Sequence, residues 1–411
     1  MRKKLTMLVA FGALVALAAP ATAATEPSTL SPPLPGGKYL GKSAAGSGAP
    51  VVVKVPANNI GSALRGVVRF PCAGISARFR SDDGAFVARK RRRGKTIFKV
   101  QGSFRKMNVA GGAVVRLQRK LRHGACRPSR FKAVLRNAPA IHKSTVTYGP
   151  FPTMPSMGHH GGGGNVGRVD LEKPCEDCSL VGMIPELREA DGSRANFDTG
   201  AMLHHVVFFN LNADDATCPN RPQRFFASGN ERTPTLLPRG YGYNVSADDD
   251  WSLSTHLMNM SDQPKDLSIE VTFYYVKDAS ALEGVKPFWL DINNCRNSEY
   301  ETPAGTHTEA RDFTVSPEMA GNLVSIGGHL HDHGTRIDLE NVASGERICR
   351  SRAGYGRDPS YEGHIESMSG CLGRVARLEA GDNLRILSSY EAPETLHDVM
   401  GIMVGYVAPS G

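Results

Sequence analysis

The sequence predicts an all-β protein in which an N-terminal basic β domain precedes two tandem β-sandwich domains of the jelly-roll type. Short segments that alternate apolar and polar residues recur along the chain, and clusters of Gly, Pro, Asn and Ser separate them. We find no stretch with helical periodicity. The 411 residues also exceed one ordinary domain. We therefore expect several separate cores.

Residues 1–24 have the pattern of a secretory signal peptide. Arg2, Lys3 and Lys4 precede an apolar run, and the small-residue sequence ATAA follows it. The run is too short to predict a membrane span, and no later stretch is apolar enough to cross a bilayer. The pattern predicts a secreted or cell-surface protein, with a retained N-terminal anchor as the alternative.

Charge divides the chain into two parts. Residues 38–146, the basic β domain, hold 25 basic residues against Asp82 and Asp83, whereas residues 147–411 hold 21 basic and 37 acidic residues. The run ARKRRRGK at 88–95 is either a solvated cluster or a docking site for an anionic cell-surface polymer. Few aromatic residues remain to stack bases, which argues against nucleic acid. The domain's six phenylalanines fall at positions typical of a core: Phe70, Phe79, Phe86, Phe98, Phe104 and Phe131.

Residues 147–166 are rich in Pro and Gly and are predicted to be a linker. The segment contains Met154, Met157, His159 and His160, which either are incidental or pass copper to sites further along the chain. After it, strand-like runs and turn signals predict a first sandwich at 167–290 and a second at 291–411.

Eight cysteines in an exported chain predict disulfides. Position within the predicted domains pairs Cys72 with Cys126 and Cys349 with Cys371. It leaves Cys175 and Cys178 to be shared between Cys218 and Cys295, in an order that the sequence does not settle. The PCEDC motif that holds Cys175 and Cys178 is alternatively half of a zinc site or a redox pair.

The motif HLHDHG carries the clearest metal signal. His329 and His331 are two residues apart on a predicted strand, so both imidazoles project to one face and can share a metal ion. Asp332 is a candidate to orient these ligands, and His333 is a spare donor.

Four further residues are weaker ligand candidates when each is taken alone. His204 and His205 are adjacent, and neighbours on a regular strand face opposite sides, so joint binding requires a bulge, a strand end or different ring nitrogens. Otherwise one of the pair is a packed structural histidine. His256 and Met400 taken singly are typical of structural and core positions.

The order of these residues resembles the copper type II, ascorbate-dependent monooxygenases, which include the peptidylglycine α-hydroxylating and dopamine β-monooxygenases. The resemblance covers about residues 170–408 and includes the segment GDNLRILSSYEAPETLHDVM. It implies two coppers per chain, one held by a first set (His204, His205, His256) and one by a second set (His329, His331, Met400). The first is expected to deliver an electron. The second is expected to react with O2 and hydroxylate a substrate C–H bond, with ascorbate as reductant, so His329, His331 and Met400 are the expected catalytic residues.

Two departures from the family pattern bear on the substrate. Gly327 stands where the peptide-amidating members have an Arg, and Val404 stands where they have a Tyr. Peptidylglycine is therefore not the expected substrate, and a different small molecule is. His397, like His333, is a spare donor near the second set. The alternative function is that of an exported copper-binding or cell-surface protein that uses the same fold without catalysis.

Overall fold

The structure of the chain is a computed structural model that describes residues 32–43, 51–56, 64–70, 75–81, 84–105, 107, 109–117, 130–135, 138–155, 166–356 and 358–409. The predicted signal peptide, the Cys72–Cys126 pair, and Met157, His159 and His160 lie outside these ranges. The described residues are built almost wholly from β-strands, which confirms the predicted fold class. No helix among them is long and apolar enough to span a membrane.

The basic domain is one eight-stranded sheet. Its strands are β1 (Lys38–Ser43), β2 (Val51–Lys54), β3 (Leu64–Phe70), β4 (Ile75–Ser81), β5 (Ala85–Arg92), β6 (Lys95–Arg105), β7 (Val109–Leu117) and β8 (Arg130–Leu135). They pair antiparallel in the order β4-β3-β2-β1-β8-β7-β6-β5. The edge strands β4 and β5 also contact each other, so the sheet curls around its own core.

Aromatic side chains fill that core. All six phenylalanines predicted to be internal are buried, and Tyr39 packs among them at 5.2 Å from Phe104, measured between ring centroids. Val181, Leu236 and Tyr274, which belong to the next part of the chain, join the same cluster. The basic domain is therefore packed against the first sandwich.

The first sandwich has two sheets. Its strands are β9 (His142–Thr153), β10 (Val166–Arg168), β11 (Cys178–Arg188), β12 (Ala201–Asp214), β13 (Pro222–Gly229), β14 (Thr235–Leu236), β15 (Tyr241–Val245), β16 (Trp251–Asn259), β17 (Lys265–Val276) and β18 (Glu283–Gly284). The sheet orders are β10-β16-β12-β13 and β18-β15-β11-β17-β9, with β14 paired to β11. Large buried side chains such as Phe208, Trp251 and Phe273 fill the space between the sheets.

The second sandwich has two larger sheets and one two-stranded sheet. Its strands are β19 (Lys286–Asp291), β20 (Tyr300–Thr302), β21 (Gly305–Thr314), β22 (Gly321–Leu330), β23 (Gly334–Asn341), β24 (Arg347–Tyr355), β25 (Ile365–Met368), β26 (Gly370–Leu378), β27 (Asn383–Ala392), β28 (Leu396–Val399) and β29 (Gly401–Pro409). The sheets run β19-β29-β22-β26, β21-β27-β23-β24-β25 and β20-β28. Three-residue 3-10 segments occupy Phe197–Thr199, Ala279–Ala281, Pro317–Met319 and Pro359–Tyr361.

Pairing divides the chain at somewhat different residues from those expected. Strand β9 spans the end of the predicted basic domain and the start of the predicted linker, and it pairs with β17 of the first sandwich. Strand β19 pairs with β29 of the second sandwich and begins four residues before the predicted boundary near residue 290. Both strands have short sequences whose partners are more than 100 residues away, so only the assembled sheets reveal where they belong.

Three disulfides lie in the described residues. One joins Cys349 to Cys371, the pair that their positions predict. The expectation that Cys175 and Cys178 are shared with Cys218 and Cys295 is wrong, because the structure joins Cys175 to Cys178 and Cys218 to Cys295. Left-handed backbone at Asp177, with φ of 49°, turns the chain so that Cys175 and Cys178 meet. The Cys218–Cys295 bond links a first-sandwich loop to the loop after β19, and so ties the two sandwiches together.

Candidate metal centre

A bulge in β12 turns two adjacent histidines to the same side. The pairing of β12 with β16 shifts register between Leu203 and His205, which leaves His204 as the extra residue and sets His205 opposite His256. Leu203 and Val206 are both buried in the first core although they are three residues apart, so His204 and His205 share the other face. This is the local geometry that joint binding by the HH pair requires.

His204, His205 and His256 form a compact cluster. Their candidate ligand atoms all lie within 4.8 Å of one another. The Nδ1 atoms of His204 and His205 are 3.1 Å apart. Two nitrogens bound to one tetrahedral ion at about 2.0 Å each are about 3.3 Å apart, so this spacing suits a shared metal ion.

Burial keeps this first cluster in a form that can bind metal. Burial, together with the nearby His204, His256 and His329, lowers the pKa of His205 to about 3. Burial also lowers the pKa of His256, although the charge of Glu299 opposes the shift. Neutral imidazole is the form that binds metal ions, so neither side chain has to lose a proton near pH 7.

His329 and His331 form a second cluster with their Nε2 atoms directed away from protein partners. The ring centroids are 5.4 Å apart. Nδ1–H of His329 donates to Oε1 of Glu231 at 2.9 Å, and Nδ1–H of His331 donates to the carbonyl of Asp398. Both Nε2 atoms are buried and have no hydrogen-bond partner among the described residues. Buried polar atoms are normally paired, so two orphaned lone pairs in one place fit a metal ion.

The pKa values of the two histidines of the second cluster are shifted in opposite directions. Burial, reinforced by the neighbouring His329, lowers the pKa of His331 to about 3. Burial alone would lower the pKa of His329 as well, but the charge and hydrogen bond of Glu231 raise it. Glu231 therefore makes the His329 imidazole more basic and a stronger ligand.

Met400 is held beside the second cluster by Tyr390. The Tyr390 hydroxyl donates to the backbone carbonyl of Met400 at 2.5 Å and accepts from the backbone N–H of His331 at 3.0 Å. His329 and Leu330 pair with Ile402 and Gly401, and His331 and Met400 are the next residue of each strand beyond this last pair. Met400 is buried and borders the same cavity as His329. A thioether at this place is a soft ligand suited to Cu(I).

The two clusters are neighbours. The rings of His204 and His331 lie 4.6 Å apart, measured between centroids, and meet edge to face. Glu231, which orients His329, belongs to the first sandwich. The centre is thus assembled across the contact between the sandwiches.

A cavity of about 590 Å³ opens beside the centre. His205, His329 and Met400 border it, together with Trp289 and the segment 296–299. This volume lies within the range of small-molecule sites.

Three residues predicted to act beside the metal are exposed or contact other groups. Asp332 does not orient the ligands, because its carboxylate binds Nδ1 of His364 at 2.5 Å and the backbone N–H of Ile365 at 2.9 Å. His333 is exposed in the turn after β22, with φ of 69°. His397 is exposed and pairs with Glu301 at 2.8 Å.

Met154, the linker methionine that is described, is 63% exposed.

Two residues of the centre were not singled out from the sequence. Tyr390 lies in the segment that resembles the copper monooxygenases, two residues before the end of β27, and a Tyr in an apolar strand was a detectable signal. Glu231 had none, because it lies in a turn of the first sandwich about 100 residues before its histidine partner.

Comparison with known proteins finds relatives that are named for copper chemistry. "Probable copper-dependent oxygenase M1" of Phoma sp. is 29% identical over 283 residues, which cover 64% of this chain and 71% of the relative. "Probable copper-dependent oxygenase clz3" of Cochliobolus lunatus is 28% identical and covers 55% of this chain and 78% of the relative. A family model described as stress up-regulated Nod 19 matches residues 282–410.

Solved structures are only distantly similar. The match to the structure of PNGF-II covers 90% of this chain and 97% of the PNGF-II chain at 8% identity, with a TM-score of 0.34. The STIV MCP covers 66% of this chain and 97% of that chain at 11% identity, with a TM-score of 0.31. Similarity at this level supports no conclusion about function.

Proposed function

We propose that the protein is an exported, copper-dependent monooxygenase that hydroxylates a C–H bond of a small molecule. The observation that carries the proposal is the pair of buried, unpartnered Nε2 atoms of His329 and His331 beside a three-histidine cluster. The two relatives named as probable copper-dependent oxygenases support copper as the metal.

Two copper ions would be held by the residues of the two clusters. His204, His205 and His256 would bind one ion, and His329, His331 and Met400 would bind the other. Copper would supply the one-electron chemistry that reduces O2. In the overall reaction one oxygen atom enters the C–H bond and the other leaves as water; ascorbate or a similar donor supplies the two electrons, and the two protons taken up with them end in that water.

The protein's own residues would prepare the centre for this reaction. Glu231 and the Asp398 carbonyl fix the tautomers of His329 and His331 so that both Nε2 atoms carry a lone pair. Tyr390 holds the main chain of Met400 next to that of His331. Trp289, Met400 and Ile402 pack together beside the second cluster and give it an apolar border toward the cavity.

Copper stoichiometry of the mature protein tests the two-site arrangement. We expect about two coppers per chain, and we expect Met400→Ala to weaken the second site while the first keeps its metal. Met403→Ala, a buried methionine of the second core, is the matched control and should leave both sites filled. Fewer than two coppers per chain, or equal copper affinity in Met400→Ala and the wild type, would remove the model.

Turnover separates this function from that of a non-catalytic copper-binding protein. Ascorbate-dependent oxygen uptake coupled to a hydroxylated product is the expected result for the enzyme. Copper-loaded protein that only converts O2 to peroxide, with no hydroxylated product from a broad set of small molecules, would assign the alternative function instead.

We also propose that the basic domain docks the exported protein to an anionic cell-surface polymer. The β5–β6 hairpin supports this, because its turn at Arg93 and Gly94 leaves a row of exposed cations that includes Arg91, Arg92 and Lys95. Replacing Arg91, Arg92 and Arg93 together by Glu should abolish retention on a polyphosphate resin at 0.15 M salt, roughly the physiological ionic strength. Lys277→Glu in the acidic part should not affect retention, and unchanged retention of the triple variant would end the proposal.

A further inference from the structure

The cavity beside the second cluster has a mainly apolar lining, in which serine, threonine and asparagine side chains are interspersed. Val207, Ala227, Met368, Leu372 and Ile402 border it. Two aromatic residues with polar tips border it too, but the Trp289 indole N–H donates to the Arg224 carbonyl at 3.1 Å and the Tyr406 hydroxyl donates to the Phe225 carbonyl at 2.7 Å. Because those tips are already paired, both rings present apolar surface to the cavity.

A row of small residues makes room in this cavity. Gly327 on β22 pairs with Gly370 on β26 and with Val404 on β29. A Cβ atom built on Gly327 meets nothing within 4 Å, whereas one on Gly328 would lie 2.3 Å from Ile337. Position 327 therefore faces the open cavity. The two departures from the peptide-amidating pattern, Gly327 and Val404, are thus cross-strand neighbours on its wall.

The charges around the cavity disfavour an anion. Arg296 is the only cationic side chain among the described residues that line it, and Arg296 is exposed at the rim. Two carboxylates line it as well. That of Glu231 is engaged by His329, and that of Glu299 accepts a hydrogen bond from the Asn297 amide at 3.2 Å. In the copper-free protein, a ligand carboxylate inside the cavity would meet no lysine or arginine other than Arg296 among the described lining residues, and burying an unpaired charge is costly.

The basic domain supplies part of the wall. Ser81, the last residue of β4, borders the cavity, as does Pro32 in the segment before β1. Ser81 is buried, and its hydroxyl has no hydrogen-bond partner among the described residues. An unpaired hydroxyl in a mainly apolar lining is a binding group for a single polar atom of a ligand.

We propose that this cavity binds a neutral, mainly apolar molecule, with Ser81 of the basic domain hydrogen-bonding a hydroxyl or carbonyl group of that molecule. The role of the molecule as the hydroxylated substrate rests on the proposed monooxygenase function. Binding itself requires no copper, so it can be measured apart from that function.

Displacement of a fluorescent apolar probe tests the ligand class. The copper-free full-length protein is incubated with N-phenyl-1-naphthylamine and titrated with 1-octanol, octanoate and octylamine at pH 7.5. We expect the probe to bind and 1-octanol to displace it at lower concentration than either charged analogue. Absence of probe binding, or displacement by octanoate or octylamine at the same concentration as 1-octanol or below, would overturn the proposal.

Two variants locate the binding. Gly327→Phe fills the open space and should weaken probe binding by at least about tenfold, whereas Gly167→Phe, at an exposed glycine outside the cavity, should not. Ser81→Ala should weaken 1-octanol by about fivefold and leave 1-chlorooctane unchanged. Equal binding in Gly327→Phe and the wild type, or an equal effect of Ser81→Ala on both octyl compounds, contradicts the assignment.

The two proposals fail in different ways. If copper stoichiometry or oxygen uptake fails while 1-octanol still binds and Gly327→Phe still blocks it, the cavity is an apolar binding site on a non-catalytic protein. If copper binds and oxygen is consumed while the octyl series shows no preference, the monooxygenase stands and the substrate class is wrong.

Discussion

At the scale of single residues, the orientation of two imidazoles decides what the centre can bind. His329 and His331 each use Nδ1 in a hydrogen bond to the protein, which leaves Nε2 as the atom that carries the lone pair. Of the two partners, Glu231 should affect its histidine more than the Asp398 carbonyl does, because the Glu231 side chain is charged and largely buried. It couples a first-sandwich side chain to a second-sandwich ligand.

Removal of Glu231 should therefore weaken the proposed copper site at His329 and His331. We expect Glu231→Ala to lower copper affinity there by about 10- to 100-fold, because His329 loses both its orientation and the carboxylate that makes it more basic. Competition with a chelator of known copper affinity measures the change. Glu301→Ala, which removes the partner of the exposed His397, is the control, and the idea is falsified if both variants bind copper equally.

Acid should destabilise the copper-free protein through its buried histidines. Burial and neighbouring histidines lower the pKa of His205 and His331 to about 3, and burial lowers that of His256 as well. Below the unfolded pKa of about 6.5 the unfolded chain binds more protons than the folded chain, so the free energy of unfolding falls as pH falls from about 7 toward 4. The raised pKa of His329 opposes this trend but is one group against three.

Thermal unfolding of the copper-free protein at pH 7.5, 6 and 5 checks this expectation. Tm should drop with pH, and His331→Asn should make the drop smaller because one buried, neutral imidazole is gone. His333→Asn is the matched control, since His333 is exposed and Asn tolerates its left-handed backbone. Identical pH dependence in the wild type and His331→Asn would show that His331 is not held neutral by burial.

At the scale of elements, the bulge in β12 and the glycine at the end of β13 shape the centre. The bulge was anticipated as one way for adjacent histidines to act together, but alternation alone could not place it. Strand β13 ends at Gly229, which pairs with His205. A Cβ atom at Gly229 would lie 2.5 Å from Cε1 of His329 and 2.5 Å from Oε2 of Glu231, so only glycine fits between these side chains.

Gly229→Ala should accordingly push His329 away from Glu231. We expect weaker copper binding at the second site, with a smaller effect at the three-histidine cluster, which chelator competition and electron paramagnetic resonance of the two sites can resolve. Gly167→Ala, where an added Cβ meets only the Leu253 carbonyl at 3.7 Å, should leave both sites unchanged. A Gly229→Ala protein with wild-type copper affinity would mean that His329 can move without loss.

At the scale of the whole molecule, the centre depends on how the two sandwiches are joined. The Cys218–Cys295 bond crosses between them with a sequence separation of 77 and lies next to the segment 296–299 that borders the cavity. The Cys175–Cys178 bond closes a separation of three within one connection. A cross-link over a longer loop restricts the unfolded chain more.

Replacing Cys218 and Cys295 together by Ser should lower the free energy of unfolding by about 2–4 kcal/mol. The same change at Cys175 and Cys178 should cost less, because the loop that it opens is short. Urea unfolding compares the two double variants. In the variant that lacks the Cys218–Cys295 bond, 1-octanol should also bind the cavity more weakly in the probe-displacement assay. Greater destabilisation by the Cys175 and Cys178 change would contradict the loop-length argument.

The sequence by itself determined what is local: the all-β class through alternation, the six core phenylalanines of the basic domain, and the candidate ligands through residue type, order and spacing. It did not determine which distant segments meet. The pairing of Cys218 with Cys295, the place of β9 and the contact of Glu231 with His329 join residues tens to more than a hundred positions apart. Asp332 illustrates the same limit: its adjacency to His331 suggested that it orients the ligands, but the histidine that it binds is His364. Such contacts arise from the packing of sheets against each other, and alternation along one strand carries no information about the strand that will face it.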